Sequence, residues 1–454
     1  MEQFKSFITE AKNEDYKVVV LSVEHGDKSI TAKRIKEEAV KLGLSNYVVG
    51  INGSHIEFND GTYSLHELGD EKGFEISRDN TVVFIRGTPT KDSALNIISE
   101  LEKIGICVVN NRTTISTAAD KYRTYIKLKD YGLTQPKTEL IPDEETLETV
   151  VNNLDTKFPI ILKTLRGSKG IGVLFIESER ALTSIVQLMY KTDSNADLLI
   201  QEYIKTDFDV RVIVLGGKVI ATMRREVVDG DFRSNFSQGS KVKPYKLTEL
   251  EVEQSLLASK ALDGMLTAVD FIASKNPKTI PPYILEVNSS PGTEGIEEAN
   301  NKNIVKEFLE YFKNPTNRRT SPVQCGWLEV VNVHPFGELE AKFDTGNALY
   351  PVIHAENIKI NGKQITFTHG DKDITTKLMG EYTSVTGGGD DKRPLVELEF
   401  EFAGSNYGKV QFGLDNRDRL NTDVLLNRKI MRMLNIMVNP ARKYVITTKY
   451  VLDK

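Results

Sequence analysis

Cysteine is nearly missing from this chain: Cys107 and Cys325 are the only two in 454 residues, far apart and in apolar or linker contexts. That excludes a disulfide framework and a thiolate metal site, and it suits a reducing compartment. Long hydrophobic runs are missing too. No apolar stretch approaches membrane-spanning length, and the opening MEQFKSFITEAKNEDYK has no signal core. A cytoplasmic protein without membrane contact is expected. Positive charge is not in excess, since 59 Lys and Arg face 64 Asp and Glu for a net charge of −5. This argues against a general nucleic-acid binder while leaving room for a local basic cleft. There is no Walker A ending, no glycine fingerprint after the first strand and no HExxH.

What is present is ordinary for a globular protein, with 39% hydrophobic and 27% charged residues, and the length calls for two or three domains. Strand-like runs KVVVLSV (17–23), TVVFIRG (81–87) and ICVVNN (106–111) alternate with the helical TAKRIKEEAVKLG and DSALNIISELEKIG. That alternation predicts an α/β layer with a parallel sheet over residues 1–112. From a helical stretch around 113–132 the pattern turns strand-rich. PIILKTL ends near Lys163, and RGSKGIGV follows as a glycine-rich loop whose Gly167, Ser168 and Gly170 could offer backbone N–H groups to phosphates. Helices are expected over 247–263 and 295–313. KNPTNRRTSP then reads as a linker, with 315–322 as its core.

The densest chemistry lies between these helices. In YILEVNSSPGTEG, Glu286 and Asn288 are two apart and share a strand face. LTAVDFIAS carries Asp270; if the two runs pair antiparallel, the three form a cluster of hard oxygens suited to Mg²⁺. Asp209 and Arg211 share a face upstream, and Arg224 and Arg225 sit on the returning strand of a hairpin. Guanidinium forks in such numbers suit a triphosphate and an anionic intermediate. Taken singly, each arginine reads as a solvated surface residue, and each carboxylate as a polar position on a half-exposed sheet.

In their order, Lys121, ILKTLRGSKGIGV, QEYIK, DVR, RRE, DFRSN, the Asp270 strand and LEVNSSPGTEGIE resemble the ATP-grasp carboxylate–amine ligases. Within these the chain is similar to the RimK-like α-L-glutamate ligases, which add glutamates to the C-terminus of ribosomal protein S6. The resemblance implies a small α/β domain, then an α+β ATP-grasp domain over 113–314 that grips ATP between antiparallel sheets. It implies ATP and Mg²⁺ (or Mn²⁺) as cofactors, and glutamate or a similar amino acid and a peptide or protein tail as partners. Lys121 and Lys163 match phosphate-touching lysines. Glu202, Tyr203 and Ile204 match the adenine-side segment, and Asp209 the ribose-side carboxylate. Arg233, Ser234 and Asn235 match the loop at the ATP and acceptor side, and Asp270, Glu286 and Asn288 the metal ligands. Arg211 and Arg224 match groups near the transferred phosphoryl. The implied reaction forms an acylphosphate that an amine converts to an amide.

Residues 323–454 differ in kind. Short alternating strands between Gly and Asn turns give an all-β signature. AKFDTG, RPLVELEF and FGLDNRDRLNTDVLLNRK resemble the retropepsin-like ATP-dependent zinc proteases, implying a barrel in which Asp344, Thr345 and Gly346 are the catalytic triplet. One such triplet is present where two carboxylates sharing a proton are needed, so a homodimer facing Asp344 across a two-fold axis is expected. No zinc ligand set is legible; His334, His354 and His369 read as ordinary strand-end histidines. The resulting expectation is a bifunctional ligase and peptidase. The alternative is a ligase making a small peptide or poly-amino acid, with the last domain only a dimerisation or peptide-binding module.

Overall fold

The computed structural model describes residues 16–447 apart from 24–28, 60–61, 167–171, 228–240, 319, 321, 387–388, 404 and 419–421. Two compact units result, Met1–Thr320 and Ser321–Lys454.

The first unit opens with β1 (Lys17–Ser22), α1 (Ile30–Lys41) and β2 (Asn46–Gly50). Next come β3 (His55–Asn59), β4 (Thr62–His66) and β5 (Phe74–Ile76), then β6 (Thr81–Arg86), α2 (Asp92–Lys103) and β7 (Cys107–Val109). A parallel sheet runs in the order β2-β1-β6-β7. Its central runs are covered on both faces, which is why they read as unbroken apolar stretches rather than as alternation. Val18, Val20 and Phe84 join one core, and Val19, Leu21 and Ile85 another. The antiparallel sheet β3-β4-β5 was not anticipated; its outer strand is largely exposed and gives no buried-strand signal.

The helical stretch expected over 113–132 is two helices, α3 (Arg112–Ala118) and α4 (Lys121–Asp130). Asp120 breaks them by capping α4, its carboxylate accepting from the amides of Tyr122 and Arg123. Then follow β8 (Thr138–Ile141), α5 (Leu147–Leu154), β9 (Ile160–Thr164), β10 (Val173–Ile176), α6 (Glu179–Thr192) and β11 (Leu198–Glu202). Their antiparallel sheet runs β10-β9-β11-β8, one face packed on α5 and α6.

A second antiparallel sheet is built from β12 (Phe208–Leu215), β13 (Lys218–Glu226), β14 (Val242–Pro244), β15 (Leu266–Ile272) and β16 (Tyr283–Asn288). Its order is β14-β13-β12-β15-β16, with α7 (Glu249–Ala261) between β14 and β15 in the chain. The single helix expected over 295–313 is α8 (Glu294–Asn300) and α9 (Ile304–Lys313), separated where Asn301 turns left-handed at φ 48°. Within the first unit, residues from either side of position 112 pack together. Val18, Ile35 and Phe84 share one core with Ile213, Met223, Phe308 and Phe312.

The second unit contains β17 (Val323–Gly326), β18 (Leu328–His334), β19 (Gly337–Phe343), β20 (Val352–His354), β21 (Glu356–Asn361), β22 (Gln364–His369) and β23 (Lys372–Lys377). It continues with β24 (Gly380–Thr386), β25 (Gly389–Phe402), β26 (Ser405–Asp415), β27 (Val424–Leu426), α10 (Arg428–Leu434) and β28 (Ile436–Asn439). The strand order β18-β19-β27-β20-β26-β25 closes through β18–β25 pairing into a six-strand barrel, and β24 extends β25. β25 shows the cause: Val396, Leu398, Phe400 and Phe402 point into the core, while Glu397, Glu399 and Glu401 point out.

Candidate active site

One face of the β12–β16 sheet changes character along its length. At one end Leu215, Ile213, Ala221, Met223, Leu266 and Ala268 are core. Two residues further along the same strands the inward positions become Arg211, Asp209, Arg225 and Asp270. The register pairs Arg211 with Asp270, Asp209 with Arg225, and Asp270 with Glu286.

The charges are closely fitted. Arg211 donates from Nε and Nη2 to the two oxygens of Asp270 at 2.8 and 2.6 Å. Arg225 donates to both oxygens of Asp209 at 2.7 and 2.5 Å and reaches Asp270 at 2.9 Å. Two guanidinium groups thus balance two buried carboxylates, and their fields hold the Asp270 carboxyl well below the ordinary carboxylate range against the opposing effect of burial. Glu286 is the remainder. Its side chain is half exposed, 3.9 Å from Arg211. Desolvation and the neighbouring Asp270 push its pKa up. Two carboxylates forced together, one of them half exposed, are chemistry that a divalent cation relieves in place of a proton. Asn288 lies on the same face two residues on, its Oδ1 accepting from the Ser290 amide at 2.8 Å.

The other sheet supplies cations. Lys121 opens α4, and its Nζ donates to the Thr164 carbonyl at 3.1 Å. Lys163 on β9 donates to Gln201 Oε1 at 2.6 Å, and Gln201 donates in turn to Thr138 Oγ1 at 2.8 Å. Burial pushes the Lys163 ammonium down to about 8, with Glu286 acting to raise it and Lys121 to lower it further. Burial lowers Lys121 as well, again with Glu286 opposing. Glu286 and the two lysines therefore share one electrostatic environment although Glu286 is on one sheet, Lys163 on the other and Lys121 on α4. Glu202 ends β11 and accepts from the Lys137 amide at 3.2 Å, and Tyr203 packs edge-on against Phe175 at 5.0 Å. Ile204 follows, partly buried.

Arg224, which the resemblance matches to a group near the transferred phosphoryl, lies on the sheet face opposite Arg211, paired with Val210 and 5.3 Å over the Phe208 ring. Arg225, the next residue, is the one in the charge cluster. Asp209, which the resemblance matches to the ribose-side carboxylate, is buried with both oxygens accepting from Arg225. Gly167, Ser168 and Gly170, and Arg233, Ser234 and Asn235, lie outside the described residues.

Two positioning residues carried no expectation. Asn110, fully buried, donates to the carbonyls of Leu266 and Ser289, both at 2.6 Å, and accepts from the amides of Met265 and Leu266. Arg86 donates to the Pro291 carbonyl at 2.7 Å, and the Gly87 amide to Ser290 Oγ at 2.9 Å. Together they tie the turn after β16 to the ends of β6 and β7. An arginine closing the apolar run TVVFIR was the visible signal; the partner was not.

In the second unit Asp344 follows β19. Its amide donates to the Leu426 carbonyl at 2.9 Å and its Oδ1 accepts from the Gly346 amide at 2.8 Å. Thr345 and Gly346 are exposed. Asn427 caps α10 and donates to the Leu349 carbonyl at 2.9 Å, bracing the same loop. Two of the three histidines meet. His354 and His369 pack edge to face at 5.7 Å, and His354 gathers Glu356 and Asp418. His334 pairs with Glu401 at 3.4 Å.

The RimK-like ATP-grasp domain model matches residues 118–312. A protein of Vibrio vulnificus (strain YJ016) named "Probable alpha-L-glutamate ligase" is 32% identical over 254 residues, 55% of this chain and 82% of the relative. One of the same name from Coxiella burnetii (strain RSA 493 / Nine Mile phase I) is 31% identical over 299 residues, 65% of this chain and 95% of the relative. Among solved structures, the ATP-grasp ligase PsnB complexed with minimal precursor, Mg and ADP matches with a TM-score of 0.50 at 18% identity. The match covers 66% of this chain and 98% of that one. The macrocyclase MdnC from Microcystis aeruginosa MRC, bound with precursor peptide MdnA, matches with a TM-score of 0.50 at 15% identity, covering 66% and 99%. At these identities the structural likeness speaks for the fold.

Proposed function

The chain belongs to the RimK-like ATP-grasp family and is an ADP-forming amino-acid ligase of the glutamate-ligase type; from this we propose that it joins glutamate or a related amino acid to the C-terminus of a peptide or protein through an acylphosphate. The observation that carries the reading is the half-exposed Glu286, set against the balanced Arg211–Asp270–Arg225–Asp209 cluster and electrostatically coupled to Lys121 and Lys163. Glu286 and Asn288, with Asp270 behind them, are the oxygens that would hold Mg²⁺. The ion, when bound, neutralises charge on the phosphates and on the leaving group. Lys121 and Lys163 bind phosphate oxygens, with Gln201 fixing the direction of the Lys163 ammonium. Arg211, anchored by Asp270, stands where negative charge builds as a carboxylate attacks the γ-phosphorus. The amine nucleophile then displaces phosphate to leave an amide. Positioning and charge stabilisation account for the rate; no protein nucleophile is required.

For Ser321–Lys454 the proposed role is an aspartic-type peptidase acting on the ligated tail, assembled as a homodimer. One Asp344 per chain, with Thr345 and Gly346 exposed beside it, supports a partner copy completing the site. A peptide acceptor is favoured over a small-molecule one because PsnB and MdnC, with the same fold, were solved with precursor peptides.

The test is incubation with ATP, Mg²⁺ and each amino acid, with and without peptides of defined C-terminus, reading ADP release and product mass. Mass increments of glutamate on the peptide support the proposal. ADP release with no dependence on any amino acid or peptide would overturn it.

A further inference from the structure

Far from these charges in sequence, the small β3-β4-β5 sheet carries an arrangement that ligation does not use. His55 and Glu57 are two apart on β3, and His66 on β4 is the direct cross-strand partner of His55, so all three project from one face. His55 Nε2 lies 3.2 Å from Glu57 Oε1, and His66 Nε2 lies 3.7 Å from Glu57 Oε2. The three ligand atoms fall within 4.8 Å of one another. Four ligands around zinc at tetrahedral bond lengths stand about 3.3 Å apart, so closure needs a shift of up to about 1.5 Å, which the exposed His55 ring can make.

His66 is built to ligate. It is only 5% exposed, and its Nδ1 lies 2.9 Å from the Asp70 carbonyl. A carbonyl only accepts, so Nδ1 carries the proton and the neutral ring presents the Nε2 lone pair toward Glu57 and His55. In the metal-free chain that lone pair accepts from the Ser64 hydroxyl at 2.8 Å. Gly73 makes room for the ring: a Cβ there would come within 2.4 Å of His66 Cε1 and Nε2. The trio in the other unit lacks this feature. His354 Nδ1 accepts from the Arg417 amide at 3.0 Å, so its proton sits on Nε2, between Glu356 and Asp418, as a donor.

We propose that His55, Glu57 and His66 form a zinc-class divalent-metal site, with two imidazoles, one carboxylate and a fourth position open to water. The metal ties the open end of the β3–β4 hairpin to the Glu67–Gly73 loop through the Asp70 carbonyl. That supplies a cross-link to a sheet whose outer strand buries little.

The test uses the tag-free full chain, stripped of metal and held in excess Mg²⁺ to fill oxygen-only sites. Zn²⁺ is titrated in competition with a chromophoric chelator, and Co²⁺ is added separately to read its visible spectrum. One zinc per chain and tetrahedral-type cobalt bands are expected. His55→Ala and Glu57→Gln, both at exposed positions, weaken zinc by at least about tenfold. His66→Ala and Gly73→Ala do the same, with circular dichroism confirming that each variant is folded. His354→Ala leaves the stoichiometry unchanged. Zinc binding that survives both His55→Ala and Glu57→Gln, or that is lost in His354→Ala, overturns the assignment, as does a wild-type chain that takes up no zinc.

Discussion

Glu286 and Asp270 oppose each other in one register pair yet have different work to do, and substitution separates them. Glu286→Gln keeps volume and removes the half-exposed charge. Ligation, read as ADP release, falls by about 10²-fold or more while the melting temperature holds. Asp270→Asn leaves two guanidinium groups without their shared counter-charge, costing about 3–5 kcal/mol of stability. Denaturant midpoints distinguish the two; equal destabilisation would contradict the division of roles. Lys163 adds a pH dependence. Its ammonium is pushed down to about 8, so in the ligand-free protein it neutralises as pH rises through that value. Folding disfavours the charged form, so the penalty on stability is present below pH 8 and lifts between there and the ordinary lysine value. Phosphate binding has the opposite sign. The Lys163 contribution to ATP affinity is constant below about pH 8 and weakens by up to about tenfold per pH unit above it. Calorimetric ATP titrations show this fall in the wild type and a shallower one in Lys163→Arg; equal slopes in the two would refute it.

At the scale of the strand, period-two alternation separates neighbours that sequence cannot rank. Arg224 and Arg225 are adjacent, and the pleat sends one to the Phe208 ring and the other into the Asp209–Asp270 pair. Arg224→Ala therefore leaves ADP release within a few-fold of wild type, whereas Arg225→Ala destabilises by about 3–5 kcal/mol and abolishes activity with it. Unfolding curves and turnover measured on both variants decide; the reverse ranking would mean that the register is wrong. The turn after β16 is held in the same spirit, with Asn110 spending both ends of its amide on four backbone groups.

Across the whole chain, the cores divide at the same place as the sequence patterns. The barrel core draws on residues from Cys325 onward, and every other core cluster ends by Phe312. A chain ending at Thr320 is accordingly expected to fold and release ADP at the rate of the full chain. Asp344→Asn in the full chain should leave ADP release unaltered while removing any peptide cleavage. Loss of ligation in either case would couple the units. No helix among the described residues is long and apolar enough to cross a membrane.

Much of the site was written in the chain itself. Two-residue spacing put Glu286 with Asn288 and Asp209 with Arg211, because a strand's pleat is a local property of the backbone. The unbroken run VVVL and the alternating VELEFEF likewise announced a doubly covered strand and a singly covered one. What the chain could not announce was partnership across long separations. That Arg225 and not Arg224 meets Asp270, that Asn110 clamps the Ser289 turn, and that His55 faces His66 each depend on which strands become neighbours and in what register. Pairing is settled by burial of whole faces, a property that only the assembled sheets possess.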